Sequence, residues 1–311
     1  MRNSGHVVVI GAAGIDIKGQ SYAAPLPLVS NPANIQHSFG GVGRNIAENL
    51  ARLDIPVRLL TLVGDDLFGQ ALYAHAQSLG IDMAYSARLA SHPTGCYMAM
   101  LDNEGQPSLA LCDQAIIEGL DRDYILANRA AFTGARLIVT DLNISPEALE
   151  TTFELAARAN IPVAVEPTSA TKAHKLLPWL DQVYLLTPNA GEAEVLGRFP
   201  DPVDDRASAL HAAHYFITCG VKITAISLGE KGLTYADTAG RGSIPAMLGP
   251  IVDTNGAGDA LTAGIIFGLL NDIPVDDAMR LGVTAATLTL QTMHSVSPNL
   301  TTEKLYESLV I

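Results

Sequence analysis

The chain has 311 residues, within reach of one large α/β domain with a small appendage, so a second full-size domain is possible but not required. Nineteen Lys and Arg against 32 Asp and Glu leave a formal charge of −13, which repels polyanions and argues against nucleic acid or an anionic membrane surface as partner. Hydrophobic residues make up 48% and charged residues 16%, against about 25% charged in an average domain, so the exterior is short of charge and a buried subunit contact is favoured.

In chain order, β-branched apolar runs alternate with stretches of helical period. Segments 6–11, 58–64, 136–140, 162–165, 183–186 and 223–228 read as buried strands, and 43–53, 68–79, 146–160, 189–196 and 207–220 as helices. Ser145 followed by Pro146 marks one helix start as a cap with proline at the first position. Segments 256–270, 275–292 and 302–310 read as helices packed behind the sheet. Such alternation predicts an α/β fold, three layers with a mostly parallel central sheet covered on both faces.

Two stretches break the rhythm. Segments 96–101 and 108–112 flank Asp102-Asn103-Glu104-Gly105, a turn cluster, and so predict a β-hairpin. With extended segments at 17–22 and 35–39, they predict a small sheet, spanning 17–39 and 96–112, that projects from a single domain as a lid. Lids exclude water from a reacting centre. Tyr97, Ala99 and Leu101 lie on one side of the hairpin and Cys96, Met98 and Met100 on the other. The outer face needs cover, which predicts a homodimer through the lid.

The apolar run 263–270 is far short of the ~20 residues that span a bilayer. Residues 7–15 resemble a leader core, but Asp16 follows at once and only Arg2 precedes, so no secretory leader is expected. Cys96, Cys112 and Cys219 have no C-x-x-C spacing and read as reduced thiols of a cytoplasmic protein.

Chemistry is expected where glycines precede helices, because the first amides of a helix are unpaired and carry the positive end of its dipole. In Asp253-Thr254-Asn255-Gly256-Ala257-Gly258-Asp259, the amides of Gly256, Ala257 and Gly258 can hold a phosphoryl group, and Asp259 can accept the proton of an attacking hydroxyl. The same spacing also suits an N-capping aspartate after a glycine turn. Gly40-Gly41-Val42-Gly43-Arg44-Asn45 fails the dinucleotide pattern, since Ile46 stands where the third glycine belongs and no buried strand precedes it. No Gly-Lys dipeptide occurs, which excludes a Walker-type loop. What remains is a tight turn that admits a small polar ligand, with Asn45 as donor and acceptor, or simply a turn and a cap. Asn189 and Glu192, at i and i+3, suit either a hydrated Mg²⁺ with its phosphates or a capping box. No His pair has H-E-x-x-H spacing, so zinc is not expected.

Gly40–Asn45, Asn189-x-x-Glu192 and Asp253–Asp259, in this order and spacing, resemble the ribokinase-like (PfkB-type) sugar and nucleoside kinases over essentially the whole chain. The resemblance implies transfer of phosphate from ATP to a primary hydroxyl, with Asp259 as base, Gly256, Ala257 and Gly258 as anion hole, and Asn189 and Glu192 organising Mg²⁺. It implies that Asp16, Gly41, Asn45 and Asn143 hold the sugar, and that Asn189, Ser227, Gly229 and Lys172 meet the nucleotide. A monovalent cation, K⁺, is implied beside Asp253, although Asn255 stands where the family often has Thr or Val. Segments 40–50, 60–72, 141–145 and 166–172 are nearer the branch that phosphorylates the ribose 5′-hydroxyl of a C-nucleoside. Another nucleoside or free ribose is the alternative acceptor, and a non-catalytic nucleoside sensor is the alternative from outside catalysis. Arg44 is open between contact with phosphate or base and a turn-stabilising or surface role.

Overall fold

Four consecutive buried apolar side chains, Val7 to Ile10, have no solvent face, so their strand must lie inside a sheet covered on both sides. The computed structural model describes residues 5–309. Its strands are β1 (His6–Ile10), β2 (Gly14–Ser21), β3 (Ala33–Gly40), β4 (Val57–Leu60), β5 (Leu62–Gly64), β6 (Ala87–Leu89), β7 (Gly95–Leu101), β8 (Pro107–Asp113), β9 (Ala135–Asp141), β10 (Val163–Glu166), β11 (Val183–Leu186), β12 (Ile223–Ser227), β13 (Leu233–Asp237) and β14 (Arg241–Ile244). Eight of them form the central sheet in the order β14-β13-β12-β11-β10-β9-β1-β4. Strands β4, β1, β9, β10, β11 and β12 are parallel, and β13 and β14 close one edge antiparallel.

The alternation within β1 builds the layers. Val8 and Ile10 pack with helices Pro146–Ala159 and Arg206–Thr218. Val7 and Val9 pack with helices Val42–Arg52, Ala257–Leu270 and Val275–Leu290 on the opposite face. This is the expected three-layer α/β/α arrangement. Arg2 lies outside the described residues. No helix among them is long and apolar enough to cross a membrane, and the three cysteines are free.

A second sheet, β3-β2-β7-β8, stands apart from the first. Its register puts Asp16, Lys18, Ser38, Tyr97 and Cys112 on one face and Ile17, Ile35, Met98, Met100, Leu109 and Leu111 on the other. On the latter face Ile35, Met98, Met100, Leu109 and Leu111 are exposed.

Three features depart from the sequence reading. The apolar run 58–64 is not one strand: it leaves the central sheet at Thr61, and β5 pairs instead with β6 in a two-stranded sheet. Periodicity registers apolarity but not a change of partner. Strands β13 and β14 escape the sequence reading because Leu233–Asp237 and Arg241–Ile244 mix polar with apolar residues and offer no continuous apolar run. The last helix spans Thr302–Glu307, and Val310, where it was expected to end, lies outside the described residues.

Candidate active site

From β1 the chain first moves to β4 on one side and later to β9 on the other, so the strand order reverses at β1. The crevice outside the carboxyl ends of the strands at such a point is where open α/β sheets bind ligands. Asp141, the last residue of β9, lies buried there. Its Oδ2 accepts the amides of Ala12 (2.8 Å) and Gly43 (2.9 Å), and its Oδ1 accepts the amide of Asn143 (2.9 Å). One carboxyl thus ties together the loop after β1, the glycine turn and the loop after β9. The turn closes on that first loop: the Arg44 amide donates to the Ala12 carbonyl (3.0 Å). Gly41 has φ 94°, and a Cβ there would stand 2.5 Å from the Ala12 oxygen, so only glycine fits.

Helix Val42–Arg52 presents Asn45 toward the start of helix Ala257–Leu270, 214 residues away in sequence, and Asn45 Nδ2 donates to Asp259 Oδ2 at 2.7 Å. Neither residue caps its helix, which removes the simpler role each could have had. Asp259 is 6% exposed. Burial pushes its carboxyl up to about 7; the Asn45 hydrogen bond opposes this and the charges of Asp141 and Asp16 add to it. Gly256 precedes the helix in the left-handed region at φ 75°, where a Cβ would collide with the Ser295 carbonyl. No side chain caps the amides that follow. Gly258 differs: a Cβ built on it meets nothing within 4 Å. Among the described residues, no packing calls for glycine at that exposed position.

Asp16, on β2, accepts a hydrogen bond from Ser295 Oγ (3.1 Å), so the residue that backs Gly256 also orients Asp16. Burial raises the Asp16 carboxyl above its ordinary range. Lys18, two residues on and facing the same way, pairs with Asp253. Asp253 Oδ1 in turn accepts the Asn255 amide (3.0 Å) and shapes the approach to Gly256. The second sheet is therefore joined to the glycine loop by an ion pair on the carboxylate where K⁺ was expected.

The other expected residues gather at the ends of β10, β11 and β12. Asn189 and Glu192 form the capping box: Asn189 Oδ1 accepts the Glu192 amide (2.9 Å) and Glu192 Oε2 accepts the Asn189 amide (2.8 Å). Ser227 bridges to Asn189 and begins the turn holding Gly229, which has φ 58°. Lys172, expected with the nucleotide, donates instead to Asn143 Oδ1, beside the expected sugar residues. Glu166, at the end of β10, is buried; desolvation raises it well above the usual carboxylate range, and the charges of Glu192, Asp259 and Asp141 raise it further. Burial also raises Glu192. Asp141, Glu166, Glu192 and Asp259 thus lie close enough for their charges to oppose one another's ionisation.

Asp141, Glu166 and Lys18 are the site residues that motif reading missed. Asp141 and Glu166 do leave a trace in the sequence: each is the one acid of its strand and stands at the carboxyl end of a buried stretch. Chemically, the arrangement offers uncapped helix amides to an anion, a base of raised pKa beside them, and carboxylates for a hydrated cation.

Comparison with known proteins places the chain in a family. Residues 4–302 match the profile of the pfkB family of carbohydrate kinases. Pseudouridine kinase of Escherichia coli (strain K12) is 33% identical over 301 residues, covering 96% of this chain and 95% of that protein. Guanosine-inosine kinase of Exiguobacterium acetylicum is 28% identical, covering 90% and 92%. The structure of Arabidopsis thaliana ribokinase complexed with ribose and ATP has the same fold, with a TM-score of 0.85 at 22% identity over 99% of both chains.

Proposed function

The chain belongs to the pfkB family of carbohydrate kinases and is an ATP-dependent sugar or nucleoside kinase, and from that premise we propose that it phosphorylates the ribose 5′-hydroxyl of pseudouridine. The observation that carries the chemistry is the Asn45–Asp259 pair at the mouth of an uncapped helix. Asp259 Oδ2 is engaged by Asn45, which leaves Oδ1 to take the proton of the attacking hydroxyl. The amides of Gly256, Ala257 and Gly258 meet the negative charge that spreads over the phosphoryl group in flight. Phosphoryl transfer asks for positioning more than basicity, so a carboxylate suffices as base.

Asp16, Gly41, Asn45 and Asn143 hold the ribose, and Ser227 and Gly229 line the nucleotide side with Asn189. Lys172, through Asn143, stands between the two. Mg²⁺ suits the residues present: it prefers oxygen donors, keeps several waters and uses one or two carboxylates plus phosphate oxygens, which Glu192 and Glu166 supply together with ATP. When bound, it neutralises phosphate charge. No group of three or more acidic, His or Cys side chains among the described residues could hold an ion alone.

The second sheet, its polar face carrying Asp16 and Lys18, acts as the lid of a single kinase domain, and its exposed apolar face is the homodimer contact. Free thiols suit a cytoplasmic enzyme. Identity to pseudouridine kinase over nearly the full length of both chains supports this acceptor above the others. ADP release measured with pseudouridine, uridine, inosine, guanosine, ribose and no acceptor tests the reading. Pseudouridine should give the highest kcat/KM. A tenfold better rival would replace the substrate, and no release with any acceptor would replace the enzyme by a sensor.

A further inference from the structure

Arginine is almost never fully buried unless paired, yet Arg44 is 4% exposed. Its Nη1 donates to the Phe39 carbonyl (3.0 Å) and to Asn45 Oδ1 (2.7 Å), its Nη2 donates to Glu48, and the guanidinium lies over the Phe39 ring. Glu48, itself 2% exposed, also accepts from Arg52 Nε (2.8 Å) and faces His75 Nε2 (3.2 Å). Arg52 donates onward to the Pro298 carbonyl. Fold stability does not by itself account for this network, since buried ion pairs are often replaced by apolar side chains without loss.

The contact with Asn45 has a consequence of another kind. The two ends of an asparagine amide are nearly equal in shape but opposite in hydrogen bonding. An ionised Asp259 accepts only from Nδ2. A guanidinium donates only to Oδ1. With Arg44 on one side and Asp259 on the other, the amide has a single satisfied orientation.

We infer that Arg44 is a positioning residue for phosphoryl transfer, one that locks the Asn45 amide so that Nδ2 faces Asp259 and keeps that carboxyl aimed and ionised. The inference rests on the reading of Asp259 as the base. The charged groups around Asp259 are Asp16 from β2, Asp141 from β9, Glu166 from β10 and Arg44, and Arg44 is the cation among them. Arg44 is faced by Glu48, Arg52, His75, Asp16 and Asp259. Burial lowers it to about 9, so it stays charged at neutral pH. Without it the amide is free to turn Oδ1 toward Asp259, which suits only the protonated carboxyl.

The test is the pH dependence of kcat/KM for the nucleoside, which reports ionisations of the free enzyme, in the wild type, Arg44→Met, Arg44→Lys and Asp259→Asn. In Arg44→Met the acid limb should move up by about one pH unit, with activity about tenfold down at pH 6.5 and largely regained by pH 9. Arg44→Lys, which keeps a charged donor, should lie closer to the wild type. Should Arg44→Met fail to fold by circular dichroism, Arg44→Gln is read in its place. A loss uniform across pH, as from fewer active molecules, overturns the inference, and so does an unmoved midpoint. If Asp259→Asn keeps its turnover, the base reading itself has failed. If Asp259→Asn is inactive while Arg44→Met titrates like the wild type, only the positioning role has.

Discussion

Asp259 is placed where its charge is disfavoured, so replacing it should stabilise the protein as it disables it, and the gain should depend on pH in a defined way. A carboxyl that ordinarily ionises near 3.8 and here near 7 does so about three pH units late, each worth ~1.4 kcal/mol. The native pKa is raised, so the native state binds the proton more tightly. Above about pH 4 the unfolded chain ionises while the folded one does not, and stability falls with pH until native Asp259 itself ionises near 7. Asp259→Asn has no such titration. Its stability relative to the wild type should therefore rise by ~4 kcal/mol between pH 4 and pH 8, most steeply from pH 5 to 7, and then level off. Asp16, Asp141 and Glu166 titrate in both proteins, and where the Asp259 charge holds a neighbour such as Glu166 up, its removal adds to the variant's gain in the same direction. Urea unfolding of both proteins at pH 4.5, 6, 7 and 8 measures the difference. A difference that does not change with pH would show that Asp259 ionises normally in the fold, and the argument from its burial would be wrong.

Gly258→Ala separates packing from ligand: a Cβ there meets nothing within 4 Å, and alanine favours a helix by up to about 1 kcal/mol, so the melting temperature should hold or rise. Turnover should nevertheless fall at least about tenfold as the methyl enters the phosphate space; normal kinetics would move the phosphate elsewhere. Asp16→Ala and Asn45→Ala should each raise the nucleoside KM by about 10- to 100-fold, the worth of a charge-assisted hydrogen bond, with the KM for ATP little changed. Unchanged nucleoside KM in both would relocate the sugar site. Because Lys18 already pairs with Asp253, activity in potassium, sodium and choline salts should agree within about twofold at equal ionic strength, and strong activation by potassium alone would mean that this pair opens to admit the ion.

The sheet was legible because parallel strands buried on both faces must be continuous apolar runs, as Val7–Ile10 shows. The antiparallel strands β13 and β14 carry no such run. The break at Thr61 is invisible to any count of apolar residues. At the site, glycine motifs before helices pointed to uncapped amides, and the backbone requires glycine at Gly41 and Gly256. Asn45 and Asp259 offered only residue types, and their meeting across 214 positions is a property of the fold. Asn189 and Glu192 could be read as a cap or as metal ligands, and the structure shows the cap. Arg44 illustrates the limit most sharply: its residue type leaves phosphate, base, turn and surface all open, whereas the fold buries it against Glu48, a helical turn further along.

The most direct test of the phosphoryl-transfer site is the turnover of Asp259→Asn with saturating ATP and nucleoside, alongside its ATP affinity by calorimetry. Loss of at least ~10²-fold in kcat, the lower end of a general base's contribution, with ATP affinity within a few fold of the wild type, is the predicted result. A variant turning over at a rate near that of the wild type would contradict it.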